Sequence, residues 1–199
     1  VELFVMSYCP YGAQIEKGLL PVLETLGDKI DFKLKFCDYA MHGKKEVDEN
    51  LRQYCIQKEE PDKLQGYLKC FLEAGKSEEC IKKTGIDSAK LSACVSSTDE
   101  EYKVTEKYND KSSWINNRFP PFDVYKKDNE KYGVKGSPTL VINGKRVSVR
   151  RDPQSLLDMI CSGFNNPPEE CSKKLSSVAF SPGFGFNENS NTAGASCNN

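Results

Sequence analysis

The residue whose type and placement can do chemistry is a cysteine between an apolar run and a helix-like segment. Leu3-Phe4-Val5-Met6 is apolar, Cys9-Pro10-Tyr11-Gly12 follows it, and Ala13–Leu26 carries helical periodicity. At such a junction the first helical N–H groups lack backbone partners, and the helix dipole is positive. Both effects favour thiolate over thiol, and comparable sites bring a cysteine pKa from about 8.5 to roughly 3.5–7.5. Pro10 suits the first helical position, where a missing N–H costs nothing. The chemistry implied is attack of the Cys9 thiolate on a disulfide, with a mixed disulfide as intermediate. A redox pair usually has the spacing C-x-x-C, but the fourth position here is Gly12. The attacking sulfur therefore lacks its usual local partner. A single thiol can still isomerise disulfides, reduce glutathione mixed disulfides or hold a persulfide. The competing readings of Cys9 are a vestigial sulfur on a fold that only binds, and one half of a structural bridge.

Two other cysteines are candidate resolving thiols. Cys37 ends an alternating run in which Phe32, Leu34 and Phe36 share one face, so alternation places it off that face. It can equally be a half-buried inert thiol. Cys197 lies in a tail after Cys171, and ~25 residues of such chain reach about 25–30 Å on average. That span lets it visit Cys9, although an unpaired surface thiol is the plainer reading. A resting bridge from Cys9 to Cys37 or Cys197 is a third option.

The nine cysteines among 199 residues are many for a cytosolic chain. Cys55, Cys70, Cys80, Cys94, Cys161 and Cys171 stand at spacings that read as structural. His42 is the only histidine and no C-x2-C pair accompanies it, so a metal site is not expected. Disulfides are the better reading and imply an extracytoplasmic setting: periplasm, extracellular space or an oxidising organelle lumen. Cys161–Cys171, Cys70–Cys80 and Cys55–Cys94 are the favoured pairs, though spacing does not fix connectivity. The 28 basic and 29 acidic side chains are spread evenly, which points away from nucleic acid and from a charged membrane surface. The apolar runs fall short of the ~20 residues that span a bilayer, so no transmembrane segment is expected. The chain begins at Val1, consistent with a removed signal segment or a trimmed chain, and it holds no N-x-S/T sequon.

These residues need elements to position them. Val1–Met6 reads as a buried strand, Ala13–Leu26 as a helix with Ile15, Leu19, Leu20 and Leu23 inward, and Asp31–Cys37 as a second strand. Together they make a βαβ unit with parallel strands. From His42 to Ile115 the chain is helical and charged, with candidate helices at Lys44–Lys58, Asp62–Ala74, Ser77–Lys83, Ser88–Ser96 and Glu100–Tyr108. Asp87-Ser88 and Thr98-Asp99 offer N-caps. Bridged cysteines suit such short helices, which bury little surface alone. After Pro120-Pro121, Gly136-Ser137-Pro138-Thr139 leads into Leu140-Val141-Ile142. Asn143-Gly144 is a two-residue hairpin signal before Lys145–Val149. Asp152-Pro153 opens a last helix through Cys161. Beyond Cys171 the composition turns to Ser, Gly, Asn and Pro and predicts a flexible tail.

A βαβ unit, a helical insertion and a proline-led ββα is the order of a thioredoxin fold carrying an inserted helical domain. The chain resembles the disulfide-oxidoreductase A superfamily through Ser7-Tyr8-Cys9-Pro10-Tyr11 after the first strand and Gly133-Val134-Lys135-Gly136-Ser137-Pro138-Thr139-Leu140 before the hairpin. The resemblance implies that Pro138 is cis and faces the reactive cysteine, where it shapes the substrate groove. A closer likeness is to γ-interferon-inducible lysosomal thiol reductases, whose pattern is C-Q-H-G-x-x-E-C-x-x-N-x-x-E-x-C. In Ala40–Cys55 of this chain, His42, Gly43, Glu46, Asn50 and Cys55 fall in register, while Ala40 and Val47 replace two cysteines together. Cys70, Cys80, Cys94 and Pro120-Pro121 extend the likeness, which spans roughly residues 1–160.

The resulting expectation is an α/β thioredoxin fold with a disulfide-stapled helical insertion. Residues 1–41 and 115–172 form the thioredoxin-like domain, 42–114 the insertion and 173–199 the tail. The expected function is an exported thiol–disulfide oxidoreductase of one-cysteine type, needing no cofactor, with Cys9 as nucleophile. Tyr8, Pro10, Tyr11, Ser137 and Pro138 line the substrate site. His42 is read as contributing to helix entry or a local hydrogen bond rather than to acid–base chemistry. Substrates would be disulfide-containing proteins or peptides, or mixed disulfides of glutathione-like thiols. The alternative is a redox-inactive peptide-binding or chaperone-like module on the same fold.

Overall fold

The computed structural model describes residues 1–188 and 197–198. Strand β1 (Glu2–Val5) runs into helix α1 (Pro10–Leu26), and the chain returns as β2 (Lys33–Phe36), parallel to β1 with Leu3 opposite Leu34. Leu3, Phe4 and Val5 are all buried, as a central strand covered on both faces requires. After the helical block come α7 (Lys126–Tyr132), the two-residue strand β3 (Gly136–Ser137), the hairpin β4 (Thr139–Ile142) and β5 (Lys145–Val147), and α8 (Pro153–Cys161). Asn143 and Gly144 turn that hairpin with φ of 48° and 76°, the left-handed values a two-residue turn needs. β4 lies antiparallel to β1, giving the sheet order β2-β1-β4-β5.

Helix α1 buries the expected Ile15, Leu19, Leu20 and Leu23, but Gln14, Glu16 and Lys17 are buried too. Apolar periodicity predicts one covered face, whereas α1 is covered on several sides. Gly18 allows the approach of α8: a Cβ there would lie 2.3 Å from the Arg151 carbonyl oxygen. Asp152 caps α8 by accepting from the Ser155 N–H at 2.9 Å.

The insertion comprises α2 (Lys44–Glu59), α3 (Pro61–Ala74), α4 (Ser77–Thr84), α5 (Ser88–Tyr102) and α6 (Val104–Asn109). The expected break near Thr98-Asp99 is absent. α5 runs on to Tyr102 and stops at Lys103, which takes a left-handed φ of 55°. Asp99 sits inside α5 and reaches forward, accepting from the Thr105 N–H at 2.6 Å. Bridges Cys55–Cys94, Cys70–Cys80 and Cys161–Cys171 tie α2 to α5, α3 to α4, and the end of α8 to the turn at Glu169–Ser172.

The flexible tail expected over residues 173–199 is corrected at 179–188, which form a strap across α1 and α3. The Gly183 N–H donates to the Pro10 carbonyl, and the Gly185 N–H to the Leu72 carbonyl, each at 2.8 Å. Phe184 meets Tyr8 and Phe71 edge to face at 5.6 and 5.3 Å. The Lys17 ammonium donates to the carbonyls of Ser181, Gly183 and Gly185 at 2.7, 2.7 and 2.6 Å. A buried ammonium needs such partners, and a glycine-rich turn can bend three carbonyls onto it. Farther on, Cys197–Asn198 form strand β6, antiparallel to β3, with Cys197 opposite Ser137.

Candidate active site

Cys9 is the N-cap of α1. Its own N–H donates to the Met6 carbonyl at 2.9 Å, turning the chain out of β1, and its Sγ accepts from the Gly12 N–H at 3.4 Å. Pro10 follows at the first helical position. The Ser137–Pro138 peptide is cis, and the Ser137 carbonyl oxygen lies 3.5 Å from Cys9 Sγ. The start of α1 and the β3–β4 junction thus bring two stretches 128 residues apart onto one sulfur.

Gly12 is fixed by contact. A Cβ at this position would stand 2.7 Å from Ser137 Oγ and 3.2 Å from the Met6 carbonyl oxygen. Ser137 Oγ accepts from the Met6 N–H at 3.0 Å, so it is committed to that place. The space a second motif cysteine would enter is taken by the serine that precedes Pro138.

The loop carrying Cys9 is clamped by α2. Asn50 Oδ1 accepts from the Ser7 N–H at 3.1 Å, and Glu46 Oε2 accepts from the Tyr8 N–H at 3.1 Å. Glu46 Oε1 also accepts from the N–H groups of Met41 and His42, at 2.7 and 3.2 Å, and Oε2 lies 2.5 Å from His42 Nδ1. One buried carboxyl therefore gathers the start of the insertion and the loop before Cys9. His42 serves this junction. Composition alone does not reveal the role of Glu46 and Asn50; their place in the motif around His42 is the signal that could have.

Cys9 is bridged to Cys197, with Cα atoms 6.3 Å apart. β6 brings Cys197 to the sulfur beside β3, and Cys9 is fully buried in this state. Of the nine cysteines, Cys37 is the free one. It lies away from the cluster of Leu34 and Phe36, but that side is interior too: it is buried in a cluster with Met6, Cys9, Tyr39 and Phe119, fully rather than half. Burial pushes its thiol well above the ordinary range, helped by the charges of Asp38 and Glu46. A thiol so placed is a poor attacking group, and the resolving role expected of Cys37 has no support.

Tyr8 and Tyr11 stand in different surroundings. Tyr8 lies beneath the strap, its hydroxyl donating to the Gly75 carbonyl at 3.4 Å, with the Lys45 ammonium 4.4 Å from its ring centre. Tyr11 is half-buried on the other side, 5.5 Å from the Arg151 guanidinium and packed against the cluster around Cys9.

With these parts arranged, the chain is similar in structure to DsbA of Mycobacterium tuberculosis. The reduced form covers 86% of this chain and 85% of that one at 15% identity, with a TM-score of 0.58. The oxidised form gives 16% identity over the same shares, with a TM-score of 0.60. The disulfide bond oxidoreductase DsbG of the same organism, in its reduced form, matches at 16% identity over 86% of this chain and 80% of that one, with a TM-score of 0.55. The fold is the one these proteins have. No family model and no curated protein matches the chain. Among the described residues, no helix is long and apolar enough to cross a membrane.

Proposed function

We propose that the chain is a thiol–disulfide oxidoreductase in which Cys9 is the attacking sulfur. The observation that carries this reading is the Gly12 N–H directed at Cys9 Sγ from the first turn of α1, opposite Ser137 and the cis Pro138. Once its bridge is opened, Cys9 is a sulfur at the positive end of a 17-residue helix, a setting that stabilises the thiolate. The fold shared with the two mycobacterial oxidoreductases supports the same reading. So do the residues in register with the γ-interferon-inducible thiol reductases, because Glu46 and Asn50 hold the loop that presents the sulfur.

The substrate class is a disulfide in an extended peptide or a small-thiol mixed disulfide, and four bridges suit an extracytoplasmic setting. Ser137 and Pro138 border the substrate site, and Tyr11 flanks it. The test is the pH profile of iodoacetamide alkylation at Cys9 in a Cys197→Ser chain. A midpoint below about 7 is expected, whereas one near 8.5 identifies an ordinary thiol on a binding module. Cys9→Ser should abolish insulin disulfide reduction; retention of full activity overturns the assignment.

A further inference from the structure

We propose that Cys197 is the second thiol of the redox couple, delivered to Cys9 by a tail strand that occupies the place of a substrate peptide. This deepens the reading of Cys9 as nucleophile and rests on it. Three independent features converge. β6 adds to β3 as an antiparallel strand, with Ser137 opposite Cys197, so the backbone edge beside Pro138 is used the way an extended peptide adds to a strand. The sulfur carried by that strand is bonded to Cys9. The strap then fixes the tether, because the Lys17 ammonium holds three of its carbonyls and the Gly183 N–H holds Pro10 at the first turn of α1.

The anchoring matters for rate. An unanchored tail starts at Cys171, whereas the strap ends at Glu188 and leaves the eight residues 189–196 before Cys197. Short tethers give effective concentrations on the order of millimolar, so closure onto Cys9 competes well with dilute outside thiols. Gly12 explains why the second thiol must arrive this way: Ser137 Oγ fills the space a local cysteine would take.

The steps balance without a further reagent. With both thiols reduced, the Cys9 thiolate attacks a substrate disulfide; a Cys9–substrate S–S bond forms and the other substrate sulfur leaves as thiolate, taking a proton from water. The Cys197 thiolate, having given its proton to solvent, then attacks Cys9 Sγ. The Cys9–Cys197 bond forms and the remaining substrate sulfur leaves. The substrate gains two electrons and the chain loses two. A dithiol from outside resets the couple by opening the bridge, which also lifts β6 from the edge of β3 and exposes Cys9.

The experiment follows one mixed disulfide. The chain, Cys197→Ser, Cys9→Ser and Lys17→Met are opened with limiting dithiothreitol, desalted and mixed with excess glutathione disulfide. Acid-quenched samples are read by intact mass and non-reducing peptide mapping. The expected result is a glutathione adduct on Cys9 that accumulates in Cys197→Ser, but in the parent chain gives way to the Cys9–Cys197 bridge. In Lys17→Met the adduct should live about fivefold longer, because effective concentration falls roughly as the −3/2 power of tether length. If parent and Cys197→Ser accumulate the same adduct to the same extent, Cys197 resolves nothing and this proposal falls while Cys9 remains the nucleophile. If Cys197→Ser takes up no adduct at Cys9, the proposed function itself falls. If Lys17→Met closes as fast as the parent, the anchoring role of the strap is overturned.

Discussion

At the scale of residues, the site is built on contacts around one sulfur and one serine. Cys9 has its cap hydrogen bond from Gly12, and Ser137 Oγ sits between the Met6 N–H and the vacant side of Gly12. Restoring a C-x-x-C motif with Gly12→Cys therefore does not simply recreate a dithiol. A Cβ 2.7 Å from Ser137 Oγ forces the serine or the first turn of α1 to move. Overpacking of this kind costs about 1–3 kcal/mol. Gly12→Cys should lower the urea midpoint accordingly, and adding Ser137→Ala should recover only part of the loss. The recovery is partial because the Met6 N–H is then left without its acceptor, at about 1 kcal/mol or more. Equal midpoints for Gly12→Cys and the parent would show that the contact is slack.

At the scale of elements, α1 holds the least expected feature. Glu16, on α1, is buried, and neither carboxyl oxygen has a hydrogen-bond partner among the described residues. Nearby Glu49 is buried as well, but it accepts from Tyr67, Gln53, Ser77 and Arg52. Burial, with the Glu49 charge adding to it and the Lys17 ammonium opposing, pushes Glu16 up from 4.5 to about 8. The folded state thus keeps a proton on Glu16 that the unfolded chain has released. Stability from this group is full below pH 4.5 and is lost as pH rises toward about 8. Burial lowers Lys17 from 10.5 to about 8, so its opposing slope begins only above that value. Urea unfolding at pH 5 and pH 8 should show the parent weakening by a few kcal/mol more than Glu16→Gln. Parallel pH dependences would remove Glu16 as the cause.

Elements also show what a sequence can disclose. The Cys9 junction, the Asn143-Gly144 hairpin and helices α2, α3 and α4 were legible because each has a local cause: a cap, a turn or a 3.6-residue period. The strap was not, because its order comes from carbonyls turned onto Lys17 and from ring contacts across the fold. Ala179-Phe180-Ser181-Pro182-Gly183-Phe184-Gly185-Phe186 did carry a signal, three phenylalanines in a segment otherwise read as polar. The Cys9–Cys197 bridge, one of the options open for Cys9 in the sequence, spans 188 residues, and spacing in the chain can neither single it out nor announce the pairing of β6 with β3.

At the scale of the whole molecule, the insertion has two kinds of attachment, and they need not fail together. α2 is bound to the thioredoxin-like part by Gln57, which accepts from the Leu34 N–H at 2.8 Å and donates to the Leu34 carbonyl at 2.9 Å, and by the Glu46 clamp. α4 buries only Cys80 and Ile81, and α5 only Leu91, Cys94 and Thr98. Disulfides therefore hold these outer helices. Cys55–Cys94 closes a separation of 39 residues, for which loop entropy gives about 4 kcal/mol, against about 3 kcal/mol for the 10-residue separation of Cys70–Cys80. The paired variant Cys55→Ala/Cys94→Ala should thus be the more destabilised in urea, with a further cost from two buried side chains removed. Hydrogen exchange should lose protection across α5 and α6, while α1 and α2 stay protected and the Cys9–Cys197 bridge still forms. Loss of protection in α1 together with α5 would show instead that the insertion and the site unfold as one cooperative unit.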